Sequence, residues 1–241
     1  MYTESEGLVL SALKYNDTND IVEVFTRRHG RVSFIVARSR GKRGGVRSVL
    51  FRPLSQLRLT WAERGRGGLR RIKAAEVARP YTSLPYEPVK SAVGLFLGEF
   101  LHRTLRHEEA DEALYEYVGA ALDWYDMAAE GHANFHIVFL MRMTRFLGFF
   151  PNIEGYAPGS CFDLIAGSFT GIAPTHRHFV PTGEAGLLPM LMRMTFDTMH
   201  LFRFTRSERN RLLDLLIEYY RLHTADFPEL KSVSVLRELF A

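Results

Sequence analysis

The sequence predicts an α+β chain, with a small five-stranded β-barrel over residues 1–80 and a mostly α-helical domain over residues 81–241. Three observations predict it. Short β-branched or alternating runs punctuated by turn residues fill the first third. Apolar residues recur at helical spacing after Pro80 and Pro85. Positive charge is concentrated in the first 80 residues, which hold 17 Lys and Arg against 7 Asp and Glu.

The strands follow in order. Gly7-Leu8-Val9-Leu10 is a compact apolar run, and Tyr15-Asn16-Asp17-Thr18-Asn19-Asp20 is rich in turn formers. Ile21-Val22-Glu23-Val24-Phe25 is β-branched, and His29-Gly30 turns the chain into Arg31-Val32-Ser33-Phe34-Ile35-Val36. Leu57-Arg58-Leu59-Thr60-Trp61 alternates, which puts Leu57, Leu59 and Trp61 on one face. Gly65, Gly67 and Gly68 mark a turn before a last strand over residues 69–77. Five short strands fit a closed barrel of the OB type, and the pattern alone also allows an SH3-like barrel.

Helices come next. Val89, Val93, Phe96, Leu97, Phe100, Leu101 and Leu105 form a wide apolar stripe, and residues 113–125 and 135–149 repeat the theme. Thr205-Arg206-Ser207-Glu208 matches a capping box that opens a late helix, with Leu212, Leu216 and Tyr219 on its buried side. Residues 151–181, rich in Gly and Pro, read as an irregular insert packed on a helical bundle.

Composition narrows the function. A chain that is 46% hydrophobic and free of low-complexity tracts is expected to fold. Its single cysteine, Cys161, excludes an internal disulfide. The first residues lack the basic and apolar regions of a secretion signal, and no apolar run approaches the ~18 residues of a membrane span. The expectation is a cytoplasmic protein, associated with the nucleoid, without a membrane partner.

The strongest functional signal runs from Arg38 to Lys73. Arg38, Arg40, Lys42, Arg43 and Arg47 lie in a glycine-rich stretch between strands; Arg52 follows, and Arg64, Arg66, Arg70, Arg71 and Lys73 surround the second glycine turn. Glu63 is the only acid in this span. Cations at this density on a pliable backbone follow phosphates and release condensed counterions, so a DNA-binding surface is expected here. Phe34, Phe51 and Trp61 are near enough in sequence to stack on bases, but alternating strand aromatics usually fill a barrel core, so binding is assigned to the arginines.

No chemistry is expected. The histidines fall at no catalytic spacing, Ser160-Cys161 has no recognisable base, and no phosphate-binding loop with Lys-Ser/Thr occurs. Neither enzymatic activity nor a cofactor is predicted.

Glu6-Gly7-Leu8-Val9-Leu10, Tyr15, Asp20 and Phe25-Thr26-Arg27-Arg28-His29-Gly30-Arg31-Val32 resemble the start of the RecO family. The basic loop, Leu50-Phe51-Arg52-Pro53, the helix-ending Phe146-Leu147-Gly148-Phe149-Phe150-Pro151 and the closing Ser234-Val235-Leu236-Arg237-Glu238-Leu239 extend the resemblance over nearly the whole chain. It implies an OB-fold followed by a helical domain. It also implies a recombination mediator that binds single- and double-stranded DNA, anneals complementary strands, works with RecR, and helps load RecA onto strands coated by single-strand-binding protein.

Many members of that family carry a four-cysteine zinc site after the Leu-Gly-x-x-Pro element. Here Cys161 stands alone with His176 and His178, short of the usual four Cys or His ligands, so no metal is expected and packing by Phe162, Leu164 and Phe169 takes its place. Arg142 and Arg145 flank Phe139, Leu140, Phe146 and Leu147, a setting for the acidic, apolar tail of single-strand-binding protein that the resemblance suggests. Two other classes stay open from the residues alone. One is an RNA-binding or ribosome-associated OB protein, which charge does not distinguish from a DNA binder. The other is an enzyme using Cys161 as nucleophile, which lacks an activating base.

Overall fold

The structure, a computed structural model, describes residues 2–38, 48–62, 68–106 and 109–239. Five strands, β1 (Tyr2–Lys14), β2 (Asn19–Thr26), β3 (Gly30–Ala37), β4 (Gln56–Ala62) and β5 (Arg70–Arg79), close a barrel in the order β1-β2-β3-β5-β4. All pairings are antiparallel except the closing seam, where β3 and β5 run parallel with Phe34 beside Arg70 and Ile35 beside Arg71. This order settles the choice left by the sequence pattern in favour of the OB-type barrel.

Length lets β1 serve two neighbours. Its first half, Tyr2–Leu8, pairs with β4, and its second, Gly7–Lys14, pairs with β2. Gly7 sits where the two pairings overlap, and a Cβ there would lie 2.5 Å from Val24 Cγ1, so only glycine lets the strands approach. A register shift between Val9 and Ser11 marks the bend. Val9, Val22, Val24, Val32, Phe34, Val36, Phe51, Leu57, Leu59 and Trp61 fill the interior. Trp61 is wholly buried, its ring edge-on to Phe34 at 5.4 Å, as strand alternation predicts.

Two helices, α1 (Pro88–Thr104) and α2 (Glu112–Met127), and the C-terminal segment Leu230–Leu239 belong to the same compact unit as the barrel. Polar joints hold the helices to the strands. Arg31 on β3 donates to the carbonyls of His102 and Leu105 and to Glu23. Gln56 on β4 donates to Tyr81 Oη and Asp123, both at 2.9 Å. Asp126 accepts backbone N–H groups from Thr82, Ser83 and Leu84 at 2.6–2.8 Å, while the buried Lys90 reaches Ser83 Oγ and the Asp126 carbonyl.

The second unit spans Ala128–Glu229. It contains α3 (Phe135–Phe146), short strands β6 (Cys161–Asp163), β7 (Ser168–Thr170) and β8 (Phe179–Val180), then α4 (Thr182–Ala185), α5 (Leu187–Arg193) and α6 (Arg206–His223). The insert is more regular than expected, because β7-β6-β8 form a small antiparallel sheet. Strands of two or three residues are too short to show a period in sequence. At the start of α6 the capping box is formed, with Thr205 and Glu208 each accepting the other's backbone N–H. Leu212, Leu216 and Tyr219 are buried, and Tyr220 Oη donates to the Leu140 carbonyl at 2.8 Å. The last helix, α7 (Ser232–Leu239), returns to the barrel unit, where Glu99 of α1 accepts the N–H groups of Lys231 and Ser232 at 3.1 and 2.8 Å.

Candidate nucleic-acid interface

The barrel's basic side chains divide by their partners. Arg27 pairs with Glu112 and Glu116, Arg31 with Glu23, Arg38 with Asp20 at 2.6 Å, Arg58 with Glu6 at 3.6 Å, and Arg79 with Asp123. The hydrogen bond from Arg27 to Glu112, and that from Arg79 to Asp123, hold both guanidiniums above their ordinary pKa, so these cations stay charged but are already matched. Arg28, Arg52, Arg70, Arg71 and Lys73 have no carboxylate partner among the described residues.

Three of these five lie on β5, the strand that closes the barrel. Parallel pairing sets Arg70 beside the buried Phe34 and Arg71 beside Ile35, so the two arginines project to opposite faces, and Lys73 is the extra residue at the register shift of β5 against Thr60 and Trp61. Arg70 is half-buried, its guanidinium carbon 6.0 Å from the Trp61 ring centroid; Arg71 and Lys73 are exposed, with Lys73 Nζ 4.0 Å from the Tyr2 ring. Arg52, also exposed, lies in the segment before β4. Arg40, Lys42, Arg43, Arg47, Arg64 and Arg66 lie outside the described residues. In sequence, residues 39–47 fall between Arg38 and Ser48, and residues 63–67 between Ala62 and Gly68.

Arg38, expected from the sequence as a DNA contact, pairs with Asp20, and the exposed Arg28 was not among the expected contacts. Arg27 and Arg28 are neighbours in sequence, yet only the first meets α2 acids; tertiary pairing of that kind leaves no mark in a charge count. Arg28 lies with Glu4, Ser5, Glu6, Arg27 and Arg58 around a cleft of mixed sign, less suited to phosphate than the β5 cations. Phe34, Phe51 and Trp61, all buried, have no face to offer a base.

On the second unit, Arg142 donates through Nε and Nη2 to the Met194 carbonyl at 3.0 and 2.9 Å, and Arg145 is exposed with its guanidinium 4.0 Å over the Phe150 ring. Phe139 and Leu140 are wholly buried, so only Phe146 and Leu147 of the four expected apolar neighbours reach the surface. A separate apolar cleft of about 270 Å³ lies among Val180, Leu187, Leu188, Leu212 and Leu215, with Arg211 and Glu184 also lining it.

The donors around Cys161 do not fit a zinc ion. Cys161 is buried, His176 faces Asp163 at 3.3 Å, and His178 faces Glu218 at 2.8 Å. Among the described residues no three His, Cys, Asp or Glu side chains are grouped to hold a metal. The space is filled by rings instead, with Phe162 edge-on to Phe169 at 5.0 Å and Phe169 edge-on to Tyr156 at 5.0 Å. Among the described residues no helix is long and apolar enough to cross a membrane.

Comparison with known proteins agrees with this architecture. Residues 1–81 match the family model for Recombination protein O N terminal, and residues 85–232 match that for Recombination protein O C terminal. The chain is 47% identical over 241 residues to the DNA repair protein RecO of Bacteroides fragilis, 45% identical to that of Phocaeicola vulgatus and 37% identical to that of Porphyromonas gingivalis, with 100% of each chain covered in every case. Two family models in succession and full-length relatives at this identity make the chain a member of the RecO family.

Proposed function

We propose that this protein is a DNA repair and recombination mediator that binds single- and double-stranded DNA through its barrel and performs no chemistry of its own. One observation carries the reading. Among the described residues Arg70, Arg71 and Lys73 of β5 have no carboxylate partner, while Arg31, Arg38, Arg58 and Arg79 are matched. Arg52 adds to them, as do Arg40, Lys42, Arg43, Arg47, Arg64 and Arg66, which lie outside the described residues. Together they neutralise two phosphate backbones at once, which lowers the repulsion between complementary strands and lets them pair without ATP.

The same reading extends to partners. RecR and the RecA pathway enter through the family, whose named members are DNA repair proteins. For the tail of single-strand-binding protein, we assign Arg145 with Phe146 and Leu147 as the contact, with Arg142 positioning the helix end through Met194. The cleft beside Arg211 is the competing location. Loss of tail binding in Arg145→Ala supports the first, and loss in Arg211→Ala alone supports the second. A site of action at the nucleoid in the cytoplasm follows from DNA as the ligand.

Titration of labelled single-stranded DNA across a range of salt tests the central claim. Replacing Arg40, Lys42 and Arg43 by Ala is expected to weaken binding and flatten its salt dependence without altering sequence preference. Affinity unchanged at moderate salt counts against it. Competition with RNA of the same sequence decides the alternative of an RNA-binding or ribosome-associated protein, which predicts that RNA displaces DNA at lower concentration.

A further inference from the structure

Among the described residues two that carry side chains hold a positive φ, Asp226 at 52° and Leu54 at 70°. Aspartate tolerates the left-handed region because its short side chain bonds locally, whereas leucine there is an outlier that its surroundings must hold in place. The chain around Leu54 is a β-turn, closed by the Ser55 N–H donating to the Arg52 carbonyl at 3.0 Å. Proline at the second position and a positive φ at the third make it a type II turn, whose third position is ordinarily glycine.

Leu54 acts there as a wedge. It is 1% exposed and lies over Gly94 and Gly98 of α1, where an added Cβ would come 3.7 Å from Leu54 Cδ1 and 3.8 Å from Leu54 Cγ. At Gly98 the same Cβ would press on Pro53 Cβ at 3.3 Å, so the helix is bare where the turn sits on it. The backbone is pinned as well. The Leu54 N–H donates to the Val9 carbonyl at 2.8 Å, the Val9 N–H to the Ser55 carbonyl at 2.9 Å, and Tyr81 Oη to the Leu54 carbonyl at 3.0 Å. On the other side of Arg52, Phe51 is buried in the barrel core. Arg52 itself is exposed and has no carboxylate partner among the described residues, yet its backbone is fixed before and after it.

We propose that Leu54, seated on Gly94 and Gly98, is a positioning residue that holds Arg52 as a preset contact for one nucleic-acid phosphate. The proposal rests on the DNA-binding reading above and adds which cation is preset and what presets it. A cation on loose backbone must be ordered when the ligand arrives, and that ordering is subtracted from the affinity; on a locked turn the backbone part is met during folding. Glycine at position 54 would relieve the turn but remove the wedge, so the strained leucine is explained by what it holds.

The test measures the affinity of the full chain for a fluorescein-labelled oligothymidylate across a range of salt. Arg52→Ala is expected to weaken binding roughly three- to tenfold at moderate salt and to lower the slope of log affinity against log salt by about 0.7. Leu54→Gly removes no charge and keeps a turn that glycine favours, yet it is expected to lose as much on both measures. Adding Arg52→Ala to Leu54→Gly is expected to lose nothing more. Gly98→Ala, which pushes on Pro53 from the helix, should follow the same pattern in weaker form, and it decides the matter if Leu54→Gly does not fold. Arg31→Ala, a destabilising change elsewhere in the same unit, is the control and should bind as the wild type does. Unchanged affinity and slope in Leu54→Gly, losses that multiply when Arg52→Ala is added, or an equal loss in Arg31→Ala overturns the proposal. So does unchanged binding by Arg52→Ala, with Arg71→Ala and Lys73→Ala then showing whether the DNA-binding reading stands without it. Failure of the wild type to bind the oligonucleotide removes the reading itself.

Discussion

The guanidinium of Arg31, on a barrel strand, donates to the Leu105 carbonyl at 2.9 Å and so closes the C-terminal end of α1. The same side chain reaches the His102 carbonyl at 3.0 Å and Glu23 at 2.6 Å, and it is only 13% exposed. Cations at helix C-termini satisfy orphan carbonyls and the negative end of the helix dipole. Arg31→Ala leaves two carbonyls and a carboxylate short of a donor and is expected to cost about 2–3 kcal/mol in urea denaturation. DNA affinity of the folded variant should stay at the wild-type value, because this charge is spent inside the protein.

Unmatched cations behave in the opposite way. Arg71→Ala with Lys73→Ala removes two candidate phosphate contacts, so the slope of log affinity against log salt should fall by about 0.7–0.9 per residue. Thermal stability should barely move, since both side chains are exposed. A slope identical to that of the wild type would place the phosphate track elsewhere on the chain.

Much of this fold is written in local pattern. Alternation in Leu57-Arg58-Leu59-Thr60-Trp61 foretold the buried Trp61, and Thr205 with Glu208 foretold the α6 cap, because both depend on residues a few positions apart. Partner choice is not local. Arg27 meets Glu112 and Glu116 through a contact 85 or more residues distant in sequence, and Arg38 meets Asp20 across a hairpin, so a count of arginines could not separate spent charge from free charge.

Acid should destabilise the protein in two windows. Burial drives His136 down to about 3, so protonation favours the unfolded chain; its contribution is complete above an unfolded value of about 6.5 and fades as pH falls toward 3. For Asp126, burial acts to raise the carboxyl, but N–H groups of Thr82, Leu84 and Ser83 outweigh it and hold the group below its ordinary value. That contribution is complete above an unfolded value of about 3.9 and is lost only as pH falls through the folded value. Urea midpoints measured from pH 7 to pH 3 should decline first through the histidine window. Substituting His136→Gln should flatten the decline between pH 6.5 and 4.5, and the His136 ring resonances in the wild type should not titrate in that range. Asp126→Asn should lower stability already at pH 7, by about 1.5–3 kcal/mol, since a charged acceptor of several backbone N–H groups is lost.

The segment around β6, β7 and β8 should be held by rings. Phe162 is 1% exposed and touches Phe169 edge-on, with Tyr219 tilted against it at 6.2 Å, while Tyr219 Oη donates to the Phe149 carbonyl at 2.9 Å. Phe162→Ala removes a fully enclosed ring from this cluster and should cost about 3–5 kcal/mol. The pairs His176–Asp163 and His178–Glu218 are partly exposed, so His178→Ala should cost at most ~1 kcal/mol. Incubation with a strong zinc chelator should leave the thermal midpoint where it was. A structural zinc ion contributes on the order of 10 kcal/mol to the fold that binds it, so its removal would lower the midpoint by an amount no melting experiment could miss. A large drop on chelation, with Phe162→Ala nearly neutral, would mean that Cys161, His176 and His178 hold a metal and that the aromatic packing is secondary.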